Sequence, residues 1–94
     1  MNADNERYFS DLIEAKKFNG YTLVSGEHWQ KPTVEEIQLV RGLILLTDSQ
    51  LANRLDVDER TIRKWKSGET SMVFTTWCCL CWLAGLGMLL EEPA

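Results

Sequence analysis

Ninety-four residues, 45% of them hydrophobic, allow one domain with a modest core. The net charge of −4, from 10 basic and 14 acidic side chains, argues against a protein that coats nucleic acid indiscriminately, since such proteins carry a basic surface. Three cysteines, an odd number crowded into Cys78, Cys79 and Cys81 with no signal peptide ahead of them, argue against a disulfide framework and favour a reducing cytoplasm.

Residues 1–32 read as an N-terminal arm. From Glu6 to Lys17 (ERYFSDLIEAKK) the side chains of Tyr8, Phe9, Leu12, Ile13 and Lys16 recur at helical spacing and predict a short amphipathic helix, broken by Asn19-Gly20. Tyr21 to Val24 reads as a short strand or extended segment, with a turn at Ser25-Gly26. Trp29 and Pro32 bring the arm onto the rest of the chain. There it either covers an otherwise exposed face or exchanges with a partner subunit, with a frayed terminus as the plain alternative.

Thr33, after Pro32, opens a helix with Glu36 completing a capping box. Ile37, Val40 and Ile44 form a narrow stripe that Leu39, Leu43 and Leu46 widen, so this helix touches more than one neighbour. Arg41 falls on its polar side and reads as a solvated charge.

The stretch from Thr47 to Gly68, TDSQLANRLDVDERTIRKWKSG, carries most of the functional signal. Thr47 and Gln50 have capping-box spacing, and the helix they open puts Leu51, Ala52 and Leu55 on one side and Gln50, Asn53 and Arg54 on the other. Asp56 suits the left-handed residue of a tight turn. Asp58 is a second N-cap, flanked by Val57 and Ile62 at the spacing of a hydrophobic staple. In the second helix Thr61, Ile62 and Trp65 share one face, while Glu59, Arg60, Arg63, Lys64 and Lys66 occupy the opposite arc. Arg54 to Lys66 carries a local charge of +2 against −6 for the remainder, so one basic face is set on an acidic body. Like charges four apart, Arg60 and Lys64, cost a few tenths of a kcal/mol in an isolated helix, a cost that a polyanion would remove. Gly68 ends the helix as a C′ glycine.

After the connection Glu69-Thr70-Ser71, Met72 to Leu90 runs 19 residues without a charge, long enough on paper for a membrane span. Thr75, Thr76, Gly85 and Gly87 interrupt it, and Glu91-Glu92 follow with no basic anchor, so no membrane is expected. Between Thr76 and Gly85 the helix is apolar all round and must be buried all round. Trp77 and Cys81 lie on one flank and Trp82 and Cys79 on the other, and one flank is predicted to meet a symmetry mate. A zinc site would want CxxC pairs or histidines, and the one histidine, His28, is 50 residues from Cys78. The cysteines read as small apolar core residues, with no metal and no cofactor expected. No nucleophile with a nearby base can be assembled, so no catalytic residue is named and an enzyme is the weakest candidate.

The run Thr47…Leu51-Ala52…Leu55…Val57…Thr61-Ile62…Trp65…Gly68 resembles the helix-turn-helix of the Cro and phage-repressor family of bacterial DNA-binding regulators, over roughly Thr33 to Gly87. The resemblance implies a mainly all-α fold, a five-helix domain over residues 33–90, with the arm ahead of it and a tail at 91–94. It also implies a dimeric repressor of a phage or mobile-element operon, in the cytoplasm of a bacterial cell or phage-infected host, binding a palindromic operator in double-stranded DNA. On that reading Glu59, Arg60, Arg63 and Lys64 contact bases, and Asn53, Arg54, Lys66, Ser67, Thr70 and Ser71 contact phosphates. Trp77, Cys81 and Trp82 are the expected homodimer contacts. Four positions depart from the family pattern: Asp48 stands where a glutamine normally anchors a phosphate, Asp56 replaces the turn glycine, and Glu59 and Arg60 replace small polar residues. The acidic surface, Asp48 and the apolar last helices suit a second class, a protein-interaction module on the same fold, such as an antitoxin or phage adaptor.

Overall fold

Local stop and start signals divide the chain into helices much as their spacing dictates. A computed structural model describes residues 3–86, which form five α-helices and two short 3-10 turns, with no strand among them. The helices are α1 (Ala3–Glu14), α2 (Val34–Gly42), α3 (Asp48–Leu55), α4 (Glu59–Ser67) and α5 (Phe74–Leu83). The fold is all-α, as the sequence implies. The last helix expected of the repressor-type domain and the tail fall on residues 87–94, outside the described residues.

Both capping boxes form. The Thr33 hydroxyl accepts from the Glu36 amide while Glu36 accepts from the Thr33 amide at 2.8 Å, and Thr47 and Gln50 do the same at 3.1 and 3.0 Å. Each box satisfies two amide donors that a helix start would otherwise orphan. α3 stops because Asp56 adopts φ 55°, and the amide of Val57 reaches back to the Ala52 carbonyl at 2.9 Å, closing a Schellman motif. Asp58 then caps α4 by accepting from the Arg60 amide at 3.2 Å.

Gly68 ends α4 at φ 82°, and a Cβ placed there would lie 2.7 Å from Val34 Cγ2 on α2. Gly68→Ala therefore has two penalties, a left-handed backbone and a clash with a stiff β-branched side chain. The expected loss is about 1–3 kcal/mol, read as a lower denaturant midpoint at unchanged m. An unaltered midpoint would show that the α2–α4 approach yields freely.

The arm departs from its expected course in two places. α1 ends at Glu14, short of Lys17, because Lys16 adopts φ 60° and the Lys17 amide donates to the Leu12 carbonyl at 2.8 Å. That reversal turns Phe18 into the core. Gly20–Leu23 is a 3-10 turn where a strand or extended segment was expected, and Asn19 caps it by accepting from the Tyr21 amide. The turn lets one buried carbonyl, that of Thr22, accept from two indoles: Trp29 Nε1 at 2.9 Å and Trp77 Nε1 at 2.8 Å.

A single core joins the arm to the rest. Phe9, Phe18 and Leu23 pack with Ile37 and Val40 of α2, Leu51 of α3, Ile62 and Trp65 of α4, and Trp77, Leu80 and Cys81 of α5. Phe18 is edge-on to Phe9 at 4.7 Å and stacked on Trp77 at 6.5 Å. Glu36 fastens the same seam. Its carboxylate accepts from the amides of Thr33 and Asn19 at 2.8 and 2.7 Å, so its burial leaves no unpaired oxygen.

Among the described residues no helix is long and apolar enough to cross a membrane. α5 is closed at its C-terminal end by Gly85 at φ 83°, with the amides of Gly85 and Leu86 donating to the carbonyls of Trp82 and Cys81.

Candidate nucleic-acid interface

α3 and α4 are held as one unit by their inner faces. Leu51 and Ala52 of α3 meet Ile62 and Trp65 of α4 in the core, while Val57 at the turn is half-buried against it. With Ile62 and Trp65 fixed inward, the helix period turns the other arc of α4 outward. Glu59, Arg60 and Arg63 are exposed, and Lys64 and Lys66 are half-buried.

The charged arc is only lightly tied to the protein. The Arg63 guanidinium lies 3.8 Å from the Glu59 carboxylate, with both side chains about half in water, a pairing of little energetic weight. The side chains of Arg60 and Lys64 make no hydrogen bond or ion pair with the other described residues. Alongside, a shallow concavity of about 420 Å³ is lined by Ser49, Gln50 and Asn53 of α3, by Val57 and by Glu59 of α4. Both helices thus contribute polar groups to one surface.

The remaining expected phosphate contacts border it. Asn53 and Arg54 are exposed on the outer side of α3, as are Ser67 at the end of α4 and Thr70 and Ser71 after it. The Ser67 hydroxyl donates to the Lys64 carbonyl at 3.2 Å and accepts from the Glu69 amide at 3.4 Å.

Lys66 and Arg41 sit differently from the way the sequence reads. Helical spacing puts Arg41 on the polar side as a solvated charge, yet its side chain is only 13% exposed. Its guanidinium donates to Asp48 Oδ1 through Nε at 3.0 Å and Nη2 at 2.8 Å, and to the carbonyls of Ile44 and Leu46. It therefore pins the connection between α2 and α3. The other carboxylate oxygen, Asp48 Oδ2, accepts from Lys66 Nζ at 2.9 Å, so Asp48 bridges the start of α3 and the end of α4. The Lys66 ammonium, then partial burial acting in the opposite sense, then Arg41 leave the Asp48 carboxyl below its ordinary range. Gln38 of α2 donates to the Lys66 carbonyl at 2.7 Å and fixes the same end of α4. Arg41 and Gln38 could not be found by helical periodicity, because their partners lie across turns of the chain.

The expected dimer contacts do not stay together. Trp77 and Cys81 are fully buried in the chain's own core and present no surface to a partner, because the arm covers that flank of α5. Trp82, on the other flank, is 69% exposed, with Cys79 also outside. The cysteines accordingly differ: burial pushes the Cys81 thiol far above its ordinary range, and the half-buried Cys78 is raised by the same cause and by its neighbour Cys79. Cys79 is not the core residue that its composition suggested.

No family model matches the chain, and no solved structure matches it. Two curated relatives do, both the transcriptional repressor protein KorC of Escherichia coli. One is 36% identical over 73 residues, covering 74% of this chain and 86% of the relative. The other is 36% identical over 66 residues, covering 67% and 78%. At that identity and coverage, the chain belongs to the family of the transcriptional repressor protein KorC.

Proposed function

We propose that the protein is a sequence-specific DNA-binding repressor that acts as a homodimer on a palindromic operator, using a Cro/phage-repressor-type helix-turn-helix formed by α3 and α4. The observation that carries this reading is the outward arc of α4: Arg60, Arg63 and Lys64 stand on a helix whose opposite face, Ile62 and Trp65, is locked into the core. A rigid helix with one cationic face is what a major groove accepts. The preceding helix of such a pair crosses the backbone.

In this reading Glu59, Arg60, Arg63 and Lys64 address base edges. Asn53, Arg54, Lys66, Ser67, Thr70 and Ser71 address phosphates and set the register. Two copies would place their α4 helices about 34 Å apart, in successive major grooves. Trp82, exposed on α5, supports a contact between copies, and residues 33–90 carry the DNA-binding function with the arm as a structural cover. The acidic remainder of the surface keeps the body away from DNA, so that binding depends on the α3–α4 face.

The reading is tested by selecting bound duplexes from a random library with the purified protein and measuring affinity for the winner against ionic strength. An inverted repeat should emerge. With about 6–10 phosphates neutralised by the dimer, affinity should fall by roughly 10³–10⁵ between 50 and 200 mM salt. No enrichment, or a flat salt response, would contradict it.

A further inference from the structure

Asp48 stands in the first turn of α3, the part of a helix-turn-helix that borders the DNA backbone when α4 occupies the groove. A carboxylate there would repel phosphate. It is instead engaged on both oxygens, with Arg41 on Oδ1 and Lys66 on Oδ2. The two cations are not equivalent. Arg41 is nearly buried and also serves two backbone carbonyls, whereas the Lys66 side chain is 39% exposed and Asp48 is its one side-chain partner among the described residues. A lysine ammonium has three donors on a flexible stem, so Lys66 can change partners without disturbing the fold, and Arg41 cannot.

We infer that Asp48 is a built-in stand-in for a DNA phosphate: its carboxylate holds the Lys66 ammonium in the unbound protein, and a backbone phosphate beside the first turn of α3 takes that ammonium over in the complex. Asp48 thereby limits how much of the affinity comes from the sequence-independent backbone contact, which leaves discrimination to the base-facing residues of α4. The inference rests on the DNA-binding reading above. It gives Asp48 the role of a positioning residue acting through Lys66, in place of the simple repulsion that the sequence suggests.

Asp48→Asn separates the two cations. The amide oxygen can still accept from Arg41, while the amide nitrogen offers Lys66 nothing to bind. With the preferred duplex from the library selection, Asp48→Asn should tighten binding about two- to fivefold, the scale of a partly exposed ion pair released. The logarithmic salt slope should steepen by up to about 0.9, because in the wild type the carboxylate that Lys66 leaves takes back a cation as the phosphate releases one, and in the variant nothing does. Lys66→Gln should weaken binding less in the wild-type background, where the phosphate contact is made only by giving up the Asp48 pair, than in the Asp48→Asn background, where nothing offsets it. In the Asp48→Asn background it should abolish the whole gain, so the two substitutions are non-additive.

A salt slope unchanged by Asp48→Asn, or effects of the two substitutions that simply add, would overturn the exchange. Wild-type protein that selects no duplex at all would instead overturn the DNA-binding reading on which it rests. Asp48→Gln, a second neutral acceptor, serves in the same cycle if Asp48→Asn does not fold.

Discussion

Replacing Trp77 by alanine is expected to lower the unfolding free energy by about 3–5 kcal/mol, the range for deleting a buried large aromatic side chain. The ring is fully buried, stacked on Phe18 at 6.5 Å, and its indole N–H donates to the Thr22 carbonyl at 2.8 Å. Through Phe18 it supports Phe9 of α1, so the cavity would open where the arm meets α5. Trp77→Phe isolates the hydrogen bond. It retains most of the packing and should cost far less, because the Thr22 carbonyl keeps the Trp29 indole at 2.9 Å. Trp82→Ala is the comparison that decides, since Trp82 has the same residue type on the same helix but is 69% exposed. Below the concentration at which copies associate it should shift stability within about 0.5 kcal/mol. Chemical denaturation of the three variants gives the answer. Equal losses at positions 77 and 82 would mean that the arm does not cover the Trp77 flank.

That pair of tryptophans also marks where the sequence stops being informative. Capping boxes, the left-handed Asp56 and the Gly68 stop are local events, set by residues within a few positions of one another, and each is readable from spacing. The inner and outer faces of α4 are readable for the same reason, since charge and apolar side chains alternate with the helix period. α5 has no such asymmetry. FTTWCCLCWL is apolar on every side, so nothing in it tells Trp77 from Trp82. The distinction is imposed by the arm, whose Phe18 and Leu23 arrive from more than 50 residues away in sequence. The Tyr21–Val24 run is equally ambiguous: its β-favouring residues suit an extended segment, but the Thr22 carbonyl must meet two indoles, and tertiary hydrogen bonding overrides propensity. The Arg41–Asp48–Lys66 cluster escapes a sequence reading because its members are 7 and 18 positions apart, across two turns.

Arg60→Ala is expected to erase preference at one position in each operator half-site, at about 1–3 kcal/mol of discrimination per guanine contact. Arg60 is the candidate best placed for such a contact. It lies in the first turn of α4, where its backbone amide is held by the Asp58 cap at 3.2 Å, and its side chain is exposed with no partner among the described residues. Its backbone is thus fixed while its guanidinium remains available, and a planar fork can meet guanine O6 and N7 together. Arg60→Lys sharpens the test, because lysine keeps the charge but loses the fork. If Arg60 reads a base, Arg60→Lys should preserve the salt slope yet lose the preference at that position, while Arg60→Ala loses the preference and lowers affinity. If Arg60 only holds phosphate, Arg60→Ala should weaken every duplex alike and reduce the salt slope by about one, and Arg60→Lys should be close to wild type. Repeating the library selection with each variant distinguishes the two. A uniform loss across sequences would move base recognition to Arg63 and Lys64, farther along the same exposed arc.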